Sequence, residues 1–156
     1  MFTFLLTVMG RVIGVILLLF NLHSVSSTVP VSGDPLSAMR WHHRALVVFA
    51  PSEQHPLWQD QQQHLEGMVE GLRERDLLIF RVVGESVSLE GETLTESDAQ
   101  QWREDFIAAE EGFTLVLIGK DGEVKLHQNH PVEKSELYEV IDAMPMRMRE
   151  QGMGRL

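Results

Sequence analysis

The residues best placed to bind a ligand form one short polar segment: Ser52, Glu53, Gln54 and His55. This segment follows the apolar run Ala45 to Phe49 and precedes a helix-like segment that starts at Pro56. A loop between the carboxyl end of a strand and the start of a helix presents backbone N–H groups and the positive end of the helix dipole. Both favour a carboxylate or a phosphate, so we take this segment as the candidate ligand-binding site.

The same segment also has a purely structural explanation. Ser52 or His55 would cap the helix, and Glu53 would complement the helix dipole. Glu53 also places a negative charge where an anion would bind. Catalysis by Ser52 would need a general base held within hydrogen-bond reach, and a histidine three residues along the chain need not supply it. We therefore assign no catalytic residue.

The histidines raise the question of a metal site, because neutral imidazole is a good ligand. Six of the seven lie between residues 42 and 130: His42, His43, His55, His64, His127 and His130. Their spacing matches no compact metal motif, and no cysteine completes one. We expect each to be a solvated side chain, and we expect no metal and no other cofactor.

Composition excludes two classes of function. The chain has no cysteine, so it is neither a thiol oxidoreductase nor a cysteine-based peroxidase. It has 13 basic and 23 acidic residues and a formal charge of −10. That balance argues against nucleic acid, whose phosphates require a basic surface.

Two charged segments offer a surface to a partner. Nine acidic residues and a single base, Arg103, lie between Glu85 and Glu111, and this stretch would attract a basic partner or form a solvated face. The tail mixes bases with methionines: Met146, Arg147, Met148, Arg149, Met153 and Arg155. It would pack on the domain or offer an adaptable contact surface.

The elements that position these residues begin with a predicted β-α-β unit. Ala45 to Phe49 and Leu77 to Val83 are short, apolar runs typical of buried strands. Between them, one helix from Pro56 has its apolar side chains at helical spacing: Leu57, Leu65, Met68, Val69 and Leu72. A helix that connects two strands of a sheet predicts a right-handed crossover between parallel neighbours.

A second helix is predicted after this unit. Val87 and Leu89 alternate with polar residues, which fits a short edge strand or a loop. Asp98 can cap a helix that Gly112 ends. The inner face of that helix is predicted to contain Ala99, Trp102, Phe106 and Ile107.

A hairpin and a last helix complete the order. Lys120-Asp121-Gly122 separates two apolar runs, and an Asp-Gly pair there predicts a hairpin with Gly122 at positive φ. Ser135 can cap a helix that ends or kinks at Pro145. The order β-α-β, α, β-β-α predicts an α/β fold of thioredoxin-like type, a three-layer sandwich with a central mixed sheet and helices on both faces.

The N-terminal residues 1–27 are predicted to direct export. Arg11 precedes an apolar run, Val12 to Leu22, that is too short to cross a bilayer and is followed by small residues spaced for cleavage. The alternative is an uncleaved anchor, and translation starts at Met1 or Met9. Both alternatives place the folded part outside the cytoplasm, secreted or periplasmic. A linker (28–40), the domain (41–150) and a tail (151–156) are predicted to follow.

Four segments resemble one known family: ALVVFAP (45–51), ERDLLIFRV (74–82), LIGKDGEVKL (117–126) and IDAMPMRMRE (141–150). They resemble the bacterial branch of the DUDES family, a domain of unknown function that also occurs in sushi-repeat and related extracellular-matrix proteins of animals. The resemblance implies a thioredoxin-like fold close to the peroxiredoxins, an exported or surface location and no established activity. It transfers no catalytic residue to this chain.

The chain departs from redox-active thioredoxin-like domains at two positions. Those domains keep a cysteine after the first strand, where this chain has the segment Ser52 to His55. They place a proline before the third strand, where this chain has Glu111-Gly112-Phe113. Both departures count against oxidoreductase chemistry.

These observations together predict an exported domain that acts by binding and not by catalysis. The expected partner is a protein or a cell-envelope component, with no nucleic acid, and with membrane contact only through an uncleaved N-terminus. The alternative is an enzyme of non-thiol chemistry that uses the Pro51 to His55 loop. A third possibility is an adhesion module, which differs from the binding domain only in the number of binding sites that it presents. The sequence leaves the oligomeric state open.

Overall fold

A mixed sheet of six strands forms the centre of the structure, a computed structural model that describes residues 35–95 and 97–153. The strands are β1 (Arg44–Ala50), β2 (Leu77–Val83), β3 (Ser86–Leu89), β4 (Glu92–Thr93), β5 (Thr114–Ile118) and β6 (Val124–Gln128). The helices are α1 (Pro35–Met39), α2 (Pro56–Leu65), α3 (Val69–Glu74), α4 (Ala99–Asp105), α5 (Lys134–Asp142) and α6 (Pro145–Met153).

The strand order is β4-β3-β2-β1-β5-β6. β1 and β2 are parallel neighbours, as the predicted crossover requires. β5 runs antiparallel to both β1 and β6, and the turn between β5 and β6 has Gly122 at φ +84. The predictions of an α/β fold with a mixed sheet, a β-α-β unit and a C-terminal hairpin are therefore confirmed.

Two apolar clusters lie on opposite faces of the sheet. Leu46 and Val48 of β1 belong to the cluster covered by α2, α3 and α5, and Val47 and Phe49 belong to the cluster covered by α1 and α4. This alternation follows from the two-residue period of a strand. β1 is buried along its whole length, so both of its ends are held firmly in place.

The single helix predicted from Pro56 is in fact two helices. α2 ends at Leu65 and α3 begins at Val69, because Gly67 between them adopts φ +70. A left-handed residue cannot continue a right-handed helix. Val69, predicted to face the core, is consequently 65% exposed.

The helix predicted after Asp98 is capped as expected but ends early. Asp98 Oδ1 accepts hydrogen bonds from the N–H groups of Gln100 and Gln101 at 2.8 and 3.3 Å. The prediction that Gly112 ends this helix is wrong, because α4 stops at Asp105. Ile107 was predicted to face inwards and is 86% exposed.

The end of the chain forms two helices separated by a short break. Ser135 does not cap the first, because α5 already begins at Lys134 with Glu133 at the N-cap position. α5 ends at Asp142 and α6 begins at Pro145. Proline is well suited to this first helical position, because the N–H group that it lacks would have no partner within the helix.

The described residues begin inside the predicted linker. α1 occupies its last part, and Leu36 and Met39 pack against the cluster under α4. The predicted signal segment lies outside the described residues. Within residues 35–95 and 97–153, no helix has the length and hydropathy to cross a membrane.

Replacing Gly71 by alanine tests the close packing of α3 against α5. A Cβ at this position would overlap the Tyr138 side chain, whose ring lies 3.8 Å below the Arg75 guanidinium and cannot easily move. We expect Gly71→Ala to lower the free energy of unfolding by about 1–3 kcal/mol, although alanine has the higher helix propensity. Urea denaturation of the full chain measures the change.

Gly152→Ala in α6 is the matched control. No atom lies within 4 Å of a Cβ at this position, so helix propensity alone predicts equal or slightly higher stability. Equal stabilities for the two variants would contradict the packing described for Gly71.

Candidate functional site

The predicted segment Ser52 to His55 lies in the loop between β1 and α2. Ser52 and His55 are half-buried, and Glu53 and Gln54 are exposed. The structure therefore brings the segment to the surface at the carboxyl end of the central strand, as the sequence predicts.

The start of α2 lacks the features of a helix-end anion site. His55 occupies the N-cap position, but its side chain makes no capping hydrogen bond. Pro56 takes the first helical position, so one N–H that would face a ligand is missing. Capping by the side chain of Ser52 or His55 is not observed, and among the described residues no hydrogen bond joins these two side chains. The loop thus holds no paired nucleophile and base.

The segment before β5 adjoins this loop. Thr114 lies opposite Phe49 in the antiparallel pair of β1 and β5. Glu111-Gly112-Phe113 therefore runs beside the end of β1. The two segments that argue against thiol redox chemistry are thus neighbours in space.

Two open grooves flank the loop and share Pro51 and Gly84. The acidic groove runs along α4 and is defined by Glu85, Asp98, Glu104, Ile107 and Glu110. The serine groove runs over β2, β3 and β4 and is defined by Ser52, Gln62, Arg81, Ser86 and Ser88. The loop therefore forms a ridge between two surfaces of different chemistry.

The carboxylates of the acidic groove have no basic partner. None of the four forms an ion pair with a lysine or arginine among the described residues. Arg103 also lines the groove, but its guanidinium donates to the carbonyl oxygens of Gly84 at 2.7 Å, Ala99 at 3.2 Å and Ala50 at 3.4 Å. Its Nη1 and Nη2 atoms are thus directed at the backbone, and because four carboxylates outnumber this one base, the groove has a net negative charge.

Ile107 has the most unusual backbone in this groove. The N–H of Ala108 donates to Arg103 O at 2.8 Å, and the N–H of Ile107 donates to Glu104 O at 3.2 Å. These two bonds define a Schellman motif, in which glycine usually takes the left-handed position. Ile107 takes that position with φ 52, a true outlier for a β-branched residue.

This strain is not compensated by burial. The left-handed conformation costs about 1–2 kcal/mol, and the Ile107 side chain is 86% exposed. Backbone strain of this kind concentrates at functional sites. The sequence instead placed Ile107 on the inner face of the helix, because it is apolar and directly follows Phe106.

The segments that carry the family resemblance meet at the other end of β1. Seven of their charged residues, together with Arg44 of β1, form one ion network: Arg44, Glu74, Arg75, Asp76, Lys120, Asp142, Arg147 and Glu150. The network joins the start of β1, the end of α3, the residues before β2 and the turn after β5 to α5 and α6. These charged residues of the motifs therefore have partners within the fold.

Lys120 and Arg147 attach α6 to the turn after β5 and to α3. Lys120 Nζ lies 2.8 Å from Asp76 Oδ2 and 2.8 Å from Glu150 Oε1. Arg147 Nη2 lies 2.6 Å from Glu74 Oε1, and both bases are buried. The sequence left open whether the tail packs on the domain or offers a contact surface. Arg147 packs on the domain.

The histidines are dispersed over the structure. His64 Nδ1 lies 3.2 Å from Val132 O, and His127 Nε2 lies 2.9 Å from Phe106 O. His42, His43 and His130 are exposed. In the ranges 35–95 and 97–153, no three histidine, aspartate or glutamate side chains come together as metal ligands.

Comparison with known proteins identifies a family without an assigned function. The model of a domain of unknown function, DUF4174, matches residues 35–150. Coiled-coil domain-containing protein 80 of Danio rerio is 27% identical over 135 residues. That match covers 76% of this chain and 16% of the relative, so the chain spans about one sixth of the relative's length. No solved structure matches.

The ion network makes the stability of the fold depend on pH through the carboxylate of Asp142. Burial raises the pKa of Asp142, but hydrogen bonds from Arg75 and Arg147 outweigh burial and lower it below the ordinary value. A lowered pKa adds stability above the unfolded-state value of about 4, and that stability is lost as pH falls through the folded-state value. We expect Asp142→Asn to destabilise the chain at pH 7 and to flatten the loss of stability between pH 5 and 2.

Urea denaturation across this pH range measures the effect. Asp60→Asn, at an exposed position of α2, is the control and should leave the pH dependence as it is. Parallel pH profiles for the wild type and Asp142→Asn would show that the network does not hold this carboxylate.

Proposed function

We propose that this chain, which belongs to the DUF4174 family of domains of unknown function, is an exported, non-catalytic binding module whose acidic groove holds a basic segment of a partner protein. One observation carries the proposal. Four carboxylates without basic partners surround a groove that exposes a strained isoleucine. The occupant that complements both features is an extended or helical segment with basic side chains around one apolar side chain.

Charge favours this occupant over an acidic or neutral one. The groove lies in a stretch with nine acidic residues and one base, and the donors of that base are engaged by backbone carbonyls. Clusters of like charge speed association with an oppositely charged partner and make it sensitive to salt. Ile107 supplies the apolar contact, since an exposed branched side chain gains free energy when a partner covers it.

The thioredoxin-like assignment is part of the proposal. It is supported by the order β2-β1-β5-β6, in which β1 and β2 are parallel and β5 is antiparallel. Membership of the bacterial branch of the DUDES family is also part of the proposal. It is supported by the segments LIGKDG (117–122) and IDAMPMR (141–147). The absence of cysteine supports a role without thiol chemistry.

Location outside the cytoplasm is proposed from residues 1–27. Arg11, the apolar run that follows it and the small residues after that run support a signal peptide or an N-terminal anchor. The partner would then be a protein of the cell envelope or of the surroundings.

Neutralising the acidic groove should weaken the binding of a basic peptide. We expect the double variant Glu104→Gln, Glu110→Gln of the full chain to lose about tenfold or more in affinity for a fluorescent peptide of alternating lysine and leucine at low salt. The loss follows from the removed attraction, and it should shrink as salt rises. Fluorescence anisotropy measures the affinities.

The control removes the same charge from α5. Glu136→Gln, Glu139→Gln changes two exposed glutamates away from the groove and should leave affinity nearly unchanged. An equal loss in both double variants, or equal binding of a glutamate and leucine peptide, would contradict the proposal.

Ile107→Gly should separate stability from binding. Relief of the left-handed strain, about 1–2 kcal/mol, exceeds the entropic cost of glycine, about 0.5–1 kcal/mol. We expect urea denaturation to show a net gain of about 1 kcal/mol, while affinity for the lysine and leucine peptide falls. Ile107→Ala is the companion variant, because it removes the apolar contact and keeps the strain. A loss of stability in Ile107→Gly would show that Ile107 serves the fold.

A further inference from the structure

The serine groove contains an arginine without a partner. Arg81 lies on β2 and is half-buried. Its guanidinium makes no hydrogen bond and no ion pair with any described residue. The buried bases of the ion network, by contrast, are each paired with a carboxylate.

Hydroxyl groups lie beside Arg81 on the same face of the sheet. Arg81 is opposite Ser88, and Ser88 is opposite Thr93. Ser86 is two residues from Ser88, and residues two apart on a strand share a face. These side chains line one groove, so a guanidinium and a row of hydroxyls face the same space.

A second unpartnered donor comes from α2. The Nε2 atom of Gln62 is buried and has no hydrogen-bond partner among the described residues. The neighbouring Gln61 shows the usual satisfied state, since its amide donates to Val132 O at 3.3 Å and accepts from the Val132 N–H at 2.8 Å. A buried donor without a partner is costly, and a ligand oxygen in the groove would satisfy it.

Two carboxylates lie in the same groove. Glu53 and Glu90 both line it, and neither is within ion-pair distance of Arg81. A simple anion would be attracted by Arg81 and repelled by two glutamates. A ligand that carries a negative and a positive group would be attracted both by Arg81 and by a carboxylate of the groove.

We propose that the serine groove binds a free amino acid through its zwitterionic end. Arg81 takes the carboxylate, because its planar fork matches that group with two parallel hydrogen bonds. Gln62 Nε2 and the serine hydroxyls supply further donors to the carboxylate. Glu53 takes the ammonium group, because the carboxylate of Glu90 already accepts a hydrogen bond from the Ile79 N–H at 2.8 Å. The groove has a volume of about 800 Å³, within the range of small-molecule sites.

The test compares three probes: L-alanine carries a carboxylate and an ammonium group, propionate carries only the carboxylate, and ethylamine carries only the ammonium group. The full chain is labelled with ¹⁵N, and the side-chain resonances of Arg81 and Gln62 are followed by NMR while each probe is added. We expect L-alanine to bind at least fivefold more tightly than propionate or ethylamine and to shift both resonances. Equal or tighter binding of propionate, or no shift with L-alanine up to 50 mM, would overturn the proposal.

Variants at both charged positions sharpen the test. Arg81→Gln should reduce alanine affinity at least tenfold, and Arg73→Gln, an exposed arginine of α3, should leave it unchanged. Glu53→Gln, at an exposed position of the loop after β1, should weaken alanine binding and strengthen propionate binding. The same sign of change for both probes would contradict the assigned charges.

Discussion

Arg44 has no exposed surface, so its guanidinium has to be satisfied inside the protein. Its Nη1 donates to Arg75 O at 2.7 Å, and its Nη2 lies 3.3 Å from both carboxylate oxygens of Glu150. Removing one partner of such a buried pair typically costs about 3–5 kcal/mol, because the other charge is left uncompensated. The start of the central strand therefore depends on a carboxylate of the last helix, 106 residues away.

This dependence divides the molecule into two ends with different roles. At the amino end of β1, the ion network connects α6 to α3, to the residues before β2 and to the turn after β5. At the carboxyl end, the chain turns at Pro51 between two grooves, in which Arg81, Glu85, Glu104 and Glu110 form no ion pair with any described residue. The charges of the ion network are paired within the fold, whereas these four can interact with a ligand or a partner.

The parts of the fold that were predictable from sequence depend on neighbours in the chain. Asp98 bonds to N–H groups two and three residues ahead, and Gly122 needs only its own backbone freedom. The misplaced features are set by local backbone bonds that side-chain type does not reveal. The α4 helix was predicted to continue past Ile107 because apolar residues recur up to that position, but the Schellman bonds of Ile107 and Ala108 end it at Asp105 without the usual glycine.

The candidate site was predictable only in its position. Ser52 to His55 lies at the end of β1 as the element order requires, but Arg81 and the acidic residues reach the loop from separate parts of the sheet and from α4. Their convergence depends on the strand order, which no local pattern contains. The sequence of the motif at Ile141 to Glu150 is equally compatible with a binding role and with a structural role. The ion pairs of the buried Arg147 with Glu74 and Asp142 favour the structural role.

The central claim, that binding belongs to the acidic groove and not to the motif-bearing end, is tested most directly by mapping a bound peptide. The full chain labelled with ¹⁵N would be titrated with the alternating lysine and leucine peptide, and backbone amide shifts would be compared between the two ends. We expect the largest shifts at Glu104, Ile107 and Ala108. Largest shifts at Met148 and Arg149 of α6 would contradict it.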